Sequence, residues 1–170
     1  KTDVKRLFGG AVKNWRELGG QDMEVALVSM EMGDSSQVVF TKYFGLNVLP
    51  LATGFRFIAT DLGAAGGTPE IARRNSEAII KVGGNPGAIG YMSMGAALRA
   101  QSKLGSIKPI ELDGISATRD NVKTKTYPIV RPLNIVSLGE PEGNVKIFID
   151  YLLSGYGQNI VKNLDYTPIR

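Results

Sequence analysis

Met30-Glu31-Met32-Gly33-Asp34-Ser35-Ser36-Gln37-Val38-Val39-Phe40 is the stretch on which the reading of this chain turns. Upstream of it, Glu24-Val25-Ala26-Leu27-Val28-Ser29 is a short apolar run of the kind that forms a buried strand. Downstream, Val38, Val39, Phe40, Tyr43 and Phe44 recur at helix-like spacing and Gly45 closes the run. The join therefore predicts a strand, a glycine turn and the N-terminus of a helix. The first N–H groups of a helix lack intrahelical partners and the dipole is positive there, so small residues at this point form a ready anion site. Asp34, Ser35 or Ser36 can equally act as a plain helix cap, and capping and ligand binding can coexist in one turn.

Composition narrows the functions open to such a turn. The chain has 170 residues, 43% of them apolar, which is enough for a core in one domain or one large lobe of something bigger. No apolar run is long enough to cross a bilayer. The chain opens at Lys1 without a charged-then-apolar leader, so any export signal is expected to have been removed or never to have existed. Cysteine and histidine are both absent, which excludes thiol nucleophiles, Cys/His zinc sites, histidine bases and Ser-His-Asp triads. A cysteine-free composition fits an exported bacterial protein. The net charge of +4 mildly favours anionic partners, but the 20 basic residues are scattered and no basic stripe carries interleaved aromatics. Nucleic-acid binding is therefore not expected.

Taken in order, Thr2 is placed to cap a short helix from Asp3 to Phe8 with Val4, Leu7 and Phe8 on one face, stopped by Gly9-Gly10. Trp15, the only tryptophan, reads as a packing anchor. The alternation around Phe55-Arg56-Phe57-Ile58 fits a strand or a helix. Gly63 to Gly67 reads as a flexible loop, after which Thr68-Pro69-Glu70 predicts a helix start, with Ile71, Ala78, Ile79 and Val82 as the apolar face and Gly83-Gly84 at its end. Gly87-Ala88-Ile89-Gly90-Tyr91 reads as a short strand whose glycines permit close backbone approach. Its Gly84-x-x-Gly87-x-x-Gly90 spacing matches neither dinucleotide nor P-loop motifs. A helix is expected from Met94 to Leu104 and a strand from Ile107 to Leu112, followed by a polar, turn-rich segment, Asp113 to Thr126. Pro128 and Pro132 bias Tyr127 to Val136 towards an extended edge or crossing strand. Two helices close the chain, one from Gly143 to Leu153 and one from near Tyr156 carrying Ile160, Val161 and Leu164.

In order along the chain, several phrases resemble the phosphate-binding periplasmic proteins, the solute receptors of phosphate ABC transporters. They are Leu7-Phe8-Gly9-Gly10-Ala11-Val12-Lys13-Asn14-Trp15, Gly33 to Phe40, Asn85-Pro86-Gly87-Ala88-Ile89-Gly90-Tyr91, Leu112-Asp113-Gly114, Tyr127-Pro128 with Arg131-Pro132-Leu133, and Leu153-Ser154 with Gly157-Gln158. The resemblance implies an α/β, type II periplasmic-binding-protein-like fold, a mixed sheet flanked by helices, with ligand held at helix N-termini in a cleft. It places residues 1–105 in the second lobe and residues 106–170 in a return segment completing the first lobe, whose N-terminal part is absent here. It also implies an extracytoplasmic location, phosphate or another small oxyanion as ligand, an ABC-transporter permease as partner, and neither catalysis, cofactor nor metal. The ligand site it implies is Gly33, Asp34, Ser35, Ser36 and Gln37.

Within that turn the family usually reads Gly-Ser-Gly-Thr with an arginine just before or after. Here Asp34 stands for the serine, Ser35 for the glycine and Ser36 for the threonine, and Met30 and Gln37 hold the arginine positions. Loss of the arginine removes charge-assisted, often bidentate hydrogen bonds. Asp34 then becomes a built-in substitute for the ligand at the helix N-terminus. A structural or interaction module of the same fold, its ligand site degenerate, is the alternative reading. An enzyme is not expected, because Glu31, Asp34 and Asp61 have no acid–base spacing. Lys42 and Arg56 read either as anion contacts or as solvated charge, and Arg73 and Arg74 as an exposed helix face. Strands begun in residues 106–170 are expected to lack neighbours. This predicts either a homodimer or a rearranged monomer whose last two helices cover the sheet.

Overall fold

The computed structural model describes residues 1–164 and 166–169. The chain divides into two compact units, Lys1–Pro109 and Ile110–Arg170. The first begins with α1 (Thr2–Phe8), a 3-10 turn (Trp15–Leu18), β1 (Ala26–Met30) and α2 (Ser35–Phe44). It continues with β2 (Asn47–Pro50), β3 (Phe55–Ile58), a 3-10 turn (Thr60–Leu62), β4 (Glu70–Ala72), α3 (Asn75–Gly83), β5 (Ala88–Gly90) and α4 (Met94–Leu104).

β1 is the axis of this unit. It lies between β4 and β5, parallel to both, with Val28 opposite Glu70 on one side and Gly90 on the other. Alternation along β1 sends Val28 and Met30 to one face of the sheet, where they join Ala72 and Ala78 in a buried cluster under Val82 of α3. On α1 and α2, Phe8 meets Phe40 edge-on at 4.6 Å and Phe57 of β3 at 5.4 Å. Phe40 in turn stacks on Tyr91 at 4.0 Å. Phe8, Phe55 and Phe57 are fully buried, each worth about 1.5–3 kcal/mol by removal from water. The glycines around β5 do allow close approach. A Cβ on Gly87 would lie 2.4 Å from the Glu24 carbonyl oxygen, which explains a glycine where β5 enters beside the β1 edge.

Some expectations are corrected and others resolved. Thr2 is the first residue of α1, not its cap; Lys1 precedes the helix and no side chain caps it. Phe55–Ile58 is a strand, antiparallel to β2. Thr68-Pro69-Glu70 does not start a helix. Glu70–Ala72 is β4, and the helix begins only at Asn75. Pro69 lacks a ladder donor but stands just outside the strand, and pairing with β1 outweighs the weak helical signal of three residues. Trp15 is half-buried, its indole N–H donating to the Gly87 carbonyl at 2.9 Å.

The strand expected from Ile107 to Leu112, across the division between the two units, is missing. Only a bridge between Leu112 and Ile115 forms, closed over Asp113 and Gly114 in left-handed conformations. Residues 129–136 carry no regular secondary structure and join no sheet, so the edge or crossing strand is not realised among the described residues. A short helix, α5 (Arg119–Lys123), forms inside the segment read as turns, because Thr118 caps it. α6 (Gly143–Leu153) and α7 (Gly155–Asn163) follow, joined at Ser154, whose hydroxyl accepts from the Gly157 amide. Gln158 is buried; its side-chain amide donates to the Leu152 carbonyl and accepts from the Ile169 amide.

Candidate functional site

Parallel topology fixes where a site can be. A helix that follows each strand of a parallel sheet starts at that strand's C-terminal end, so the N-termini of α2, α3 and α4 all stand at one edge. The strand order β4-β1-β5 reverses direction at β1. In open parallel sheets the crevice for a ligand lies outside the strand C-termini at such a reversal. The Gly33–Gln37 turn leaves β1 at that point.

The turn is tightly specified. Gly33 sits at φ +86°, where a side chain is strained, and this releases the chain from β1 into the helix. Asp34 is the N-cap of α2, its carboxylate accepting from the Ser36 amide at 2.7 Å. Gln37 is 3% exposed and its side-chain oxygen accepts from the Gly33 amide at 3.1 Å. Two backbone donors that would face an anion are therefore held by the protein's own oxygens. Ser35 and Ser36 are half-buried in the first turn of α2.

Across the reversal point, Tyr91 and Ser29 each follow the last residue pair of β5 and β1, Gly90 and Val28. The Tyr91 phenol hydrogen-bonds the fully buried Ser29 hydroxyl, which also donates to the Met30 carbonyl at 2.8 Å. Burial raises the Tyr91 pKa above the ordinary phenol range, and the nearby Asp34 carboxylate adds to the rise against the opposing hydrogen bonds from Ser29 and the Met30 backbone. Tyr91 is thus a neutral hydroxyl beside the Asp34 carboxylate. At the start of α3 and α4, Asn75 and Ser93 bond reciprocally: the Asn75 amide group donates to the Ser93 hydroxyl at 3.1 Å, and the Ser93 amide donates back at 3.2 Å. The two helix starts are tied together at the same edge.

Ser29, Tyr91, Asn75 and Ser93 carry no motif of their own in the sequence. The signals were a polar residue inside the apolar run of β1 and a tyrosine ending a glycine-rich strand. Both become meaningful only once β1 and β5 are neighbours. Arg73 and Arg74, expected on an exposed helix face, lie in the β4–α3 turn at this edge, where Arg74 pairs with Glu77 at 3.3 Å. Arg56 gives its guanidinium to the Ala65 carbonyl and the Thr68 hydroxyl, both at 3.3 Å. Lys42 stands in the last turn of α2, at the opposite end from Asp34. Glu31 and Asp34 adjoin one another in the turn, whereas Asp61 is engaged by Lys5 at 2.6 Å. Among the described residues no group of three or more acidic or metal-ligating side chains could hold a metal ion, and no helix is long and apolar enough to cross a membrane.

Known proteins resemble this chain in sequence and fold. The chain is 29% identical over 171 residues to the phosphate-binding protein PstS of Bacillus subtilis, covering 99% of this chain and 50% of that protein. It is 32% identical over 146 residues to PstS 2 of Streptococcus agalactiae, covering 85% of this chain and 46% of the relative. The chain thus spans about half the length of these curated relatives. Among solved structures, it superposes with a TM-score of 0.72 and 27% identity on a Clostridium perfringens protein described as a phosphate ABC transporter substrate-binding protein with bound phosphate. That match covers 99% of this chain and 61% of the other. PstS from Borrelia burgdorferi shares the fold at a TM-score of 0.69, covering 99% of this chain and 62% of its own. The fold is that of the type II periplasmic binding proteins, α/β with a parallel sheet flanked by helices. The family model of the PBP superfamily domain matches residues 1–155, and the chain belongs to that superfamily.

Proposed function

We propose that this chain is a non-catalytic solute-binding module of the phosphate-receptor type, taking phosphate or another small oxyanion. The observation that carries the reading is the convergence of three helix N-termini at the strand-order reversal, with Gly33, Asp34, Ser35, Ser36 and Gln37 forming the first of them. Helix N-termini attract anions through unpaired amides and the dipole, and the net charge of +4 favours the same sign of ligand. The similarity to PstS proteins supports phosphate as the oxyanion, an ABC-transporter permease as the partner and an extracytoplasmic location. On the same reading, residues 1–105 correspond to the second lobe of such a receptor and residues 106–170 to the segment that returns to the first.

Thermal denaturation in phosphate tests the proposal, since a ligand that binds only the native state raises Tm. Melting is followed from zero to about 50 mM phosphate against chloride of equal ionic strength, a range that reveals even millimolar affinity. A concentration-dependent rise specific to phosphate is expected. Identical melting in the two anions overturns the proposal.

A further inference from the structure

Gln37 holds a hydrogen-bond donor that the fold does not use. It is the third residue of α2, 3% exposed, and its side chain reaches back over the helix start to the preceding turn. There the Gly33 amide donates to Oε1 at 3.1 Å. An N–H must meet an acceptor, so this bond fixes which end of the side-chain amide is oxygen and leaves Nε2 with two N–H donors. Among the described residues Nε2 has no hydrogen-bond partner. Every fully buried side-chain nitrogen and oxygen among the described residues is partnered, so Nε2 is not sealed inside and belongs to the small exposed part of Gln37. The turn beside it is open, since a Cβ on Gly33 would meet nothing within 4 Å. Holding Gly33 in place requires only the acceptor. A glutamate would accept that bond more strongly and complement the helix dipole as well. What glutamine adds is the neutral donor, and an unpaired donor in so buried a side chain is unfavourable until something accepts from it.

We propose that Gln37 Nε2 donates to an oxygen of the bound oxyanion and is the side-chain donor of the Gly33–Gln37 turn. The assignment rests on the oxyanion reading of that turn and names the group that recognises the ligand there. One planar amide then does two things. Its oxygen pins Gly33, and the same bond fixes the direction of Nε2 before any ligand arrives, so little ordering is left for binding. The Asp34 carboxylate does not compete for this donor, because it accepts from the Ser36 amide. Backbone amides of the turn are held by Asp34 and Gln37 themselves, which leaves Nε2 as a donor in the turn that binding need not first release.

Titration of the nitrogen-15-labelled 170-residue chain with inorganic phosphate, against chloride at equal ionic strength, tests the assignment by NMR. The Gln37 side-chain NH2 pair, assigned through its own side-chain protons, should shift with phosphate together with the backbone amides of Ser35 and Ser36. Chloride should move neither. Q37E keeps an acceptor for the Gly33 amide but removes the donor, and phosphate affinity from the same titration should fall roughly tenfold or more. V38E puts an equal charge on the next residue, which is 51% exposed, and should change affinity by about threefold or less. A Gln37 pair that stays in place while the Ser35 and Ser36 amides move overturns the assignment and leaves the oxyanion reading standing. No phosphate-specific shift in either overturns both. Equal losses in Q37E and V38E also overturn the assignment, because the ligand would then feel only the added charge.

Discussion

Replacing Asp34 tests the turn most directly. The carboxylate already accepts from the Ser36 amide at 2.7 Å, so an anion oxygen seeking the same helix start is brought within about 4 Å of a like charge. At that separation the repulsion is about 1 kcal/mol with the screening of bulk water and about 4 kcal/mol at the effective dielectric of a protein surface. Asp34 is half-buried, so the cost lies between these limits, corresponding to roughly fivefold to a thousandfold in Kd. Asp34→Ser removes the charge yet keeps a capping oxygen, at a stability cost below about 1 kcal/mol. Phosphate affinity, read by calorimetric titration at low salt, should therefore rise by about one to two orders of magnitude. Adding Gln37→Arg frees the Gly33 amide from its side-chain acceptor and supplies a charged donor, which should strengthen binding again. Tight binding by the wild type that is lost in Asp34→Ser would refute the reasoning, because the carboxylate would then be accepting a proton from the ligand rather than standing in for it.

Two further outcomes follow from neighbouring contacts. Tyr91→Phe leaves Ser29, fully buried, without its phenol partner and should cost about 1–2 kcal/mol, a fall of roughly 2–8 °C in Tm by calorimetry; an unchanged Tm would show that the Met30 carbonyl alone satisfies Ser29. Glu17 accepts from the Lys13 and Asn14 amides, and these bonds hold its folded pKa below the ordinary carboxylate value. Its contribution to stability is therefore present above the ordinary value and disappears as pH falls through the lowered one, so Glu17→Gln should flatten the acid limb of a stability–pH curve and leave its alkaline limb unchanged. An acid limb of unaltered steepness would place the titrating carboxylates elsewhere.

Local signals in the sequence determined much of this protein. An apolar run, a glycine turn and helical spacing ended by Gly45 locate β1, the cap and α2, because each depends on a few adjacent residues whose backbone preferences agree. The helices ending at Gly105 and starting at Gly143 are legible for the same reason. The absence of histidine and cysteine removes whole classes of chemistry before any folding is considered. Tertiary structure decided what depends on neighbours distant in the chain. Glu70–Ala72 is a strand only because β1 offers it a ladder, whereas residues 129–136, biased towards extension by Pro128 and Pro132, join no sheet. Gln37 proves to be an internal acceptor because the turn folds its side chain back on Gly33. Ser29 and Tyr91 meet 62 positions apart, at the one place where the order of parallel strands reverses. Periodicity records which side of an element is apolar, whereas pairing partners are chosen by the packing of the whole sheet, and the candidate site is built from those pairings.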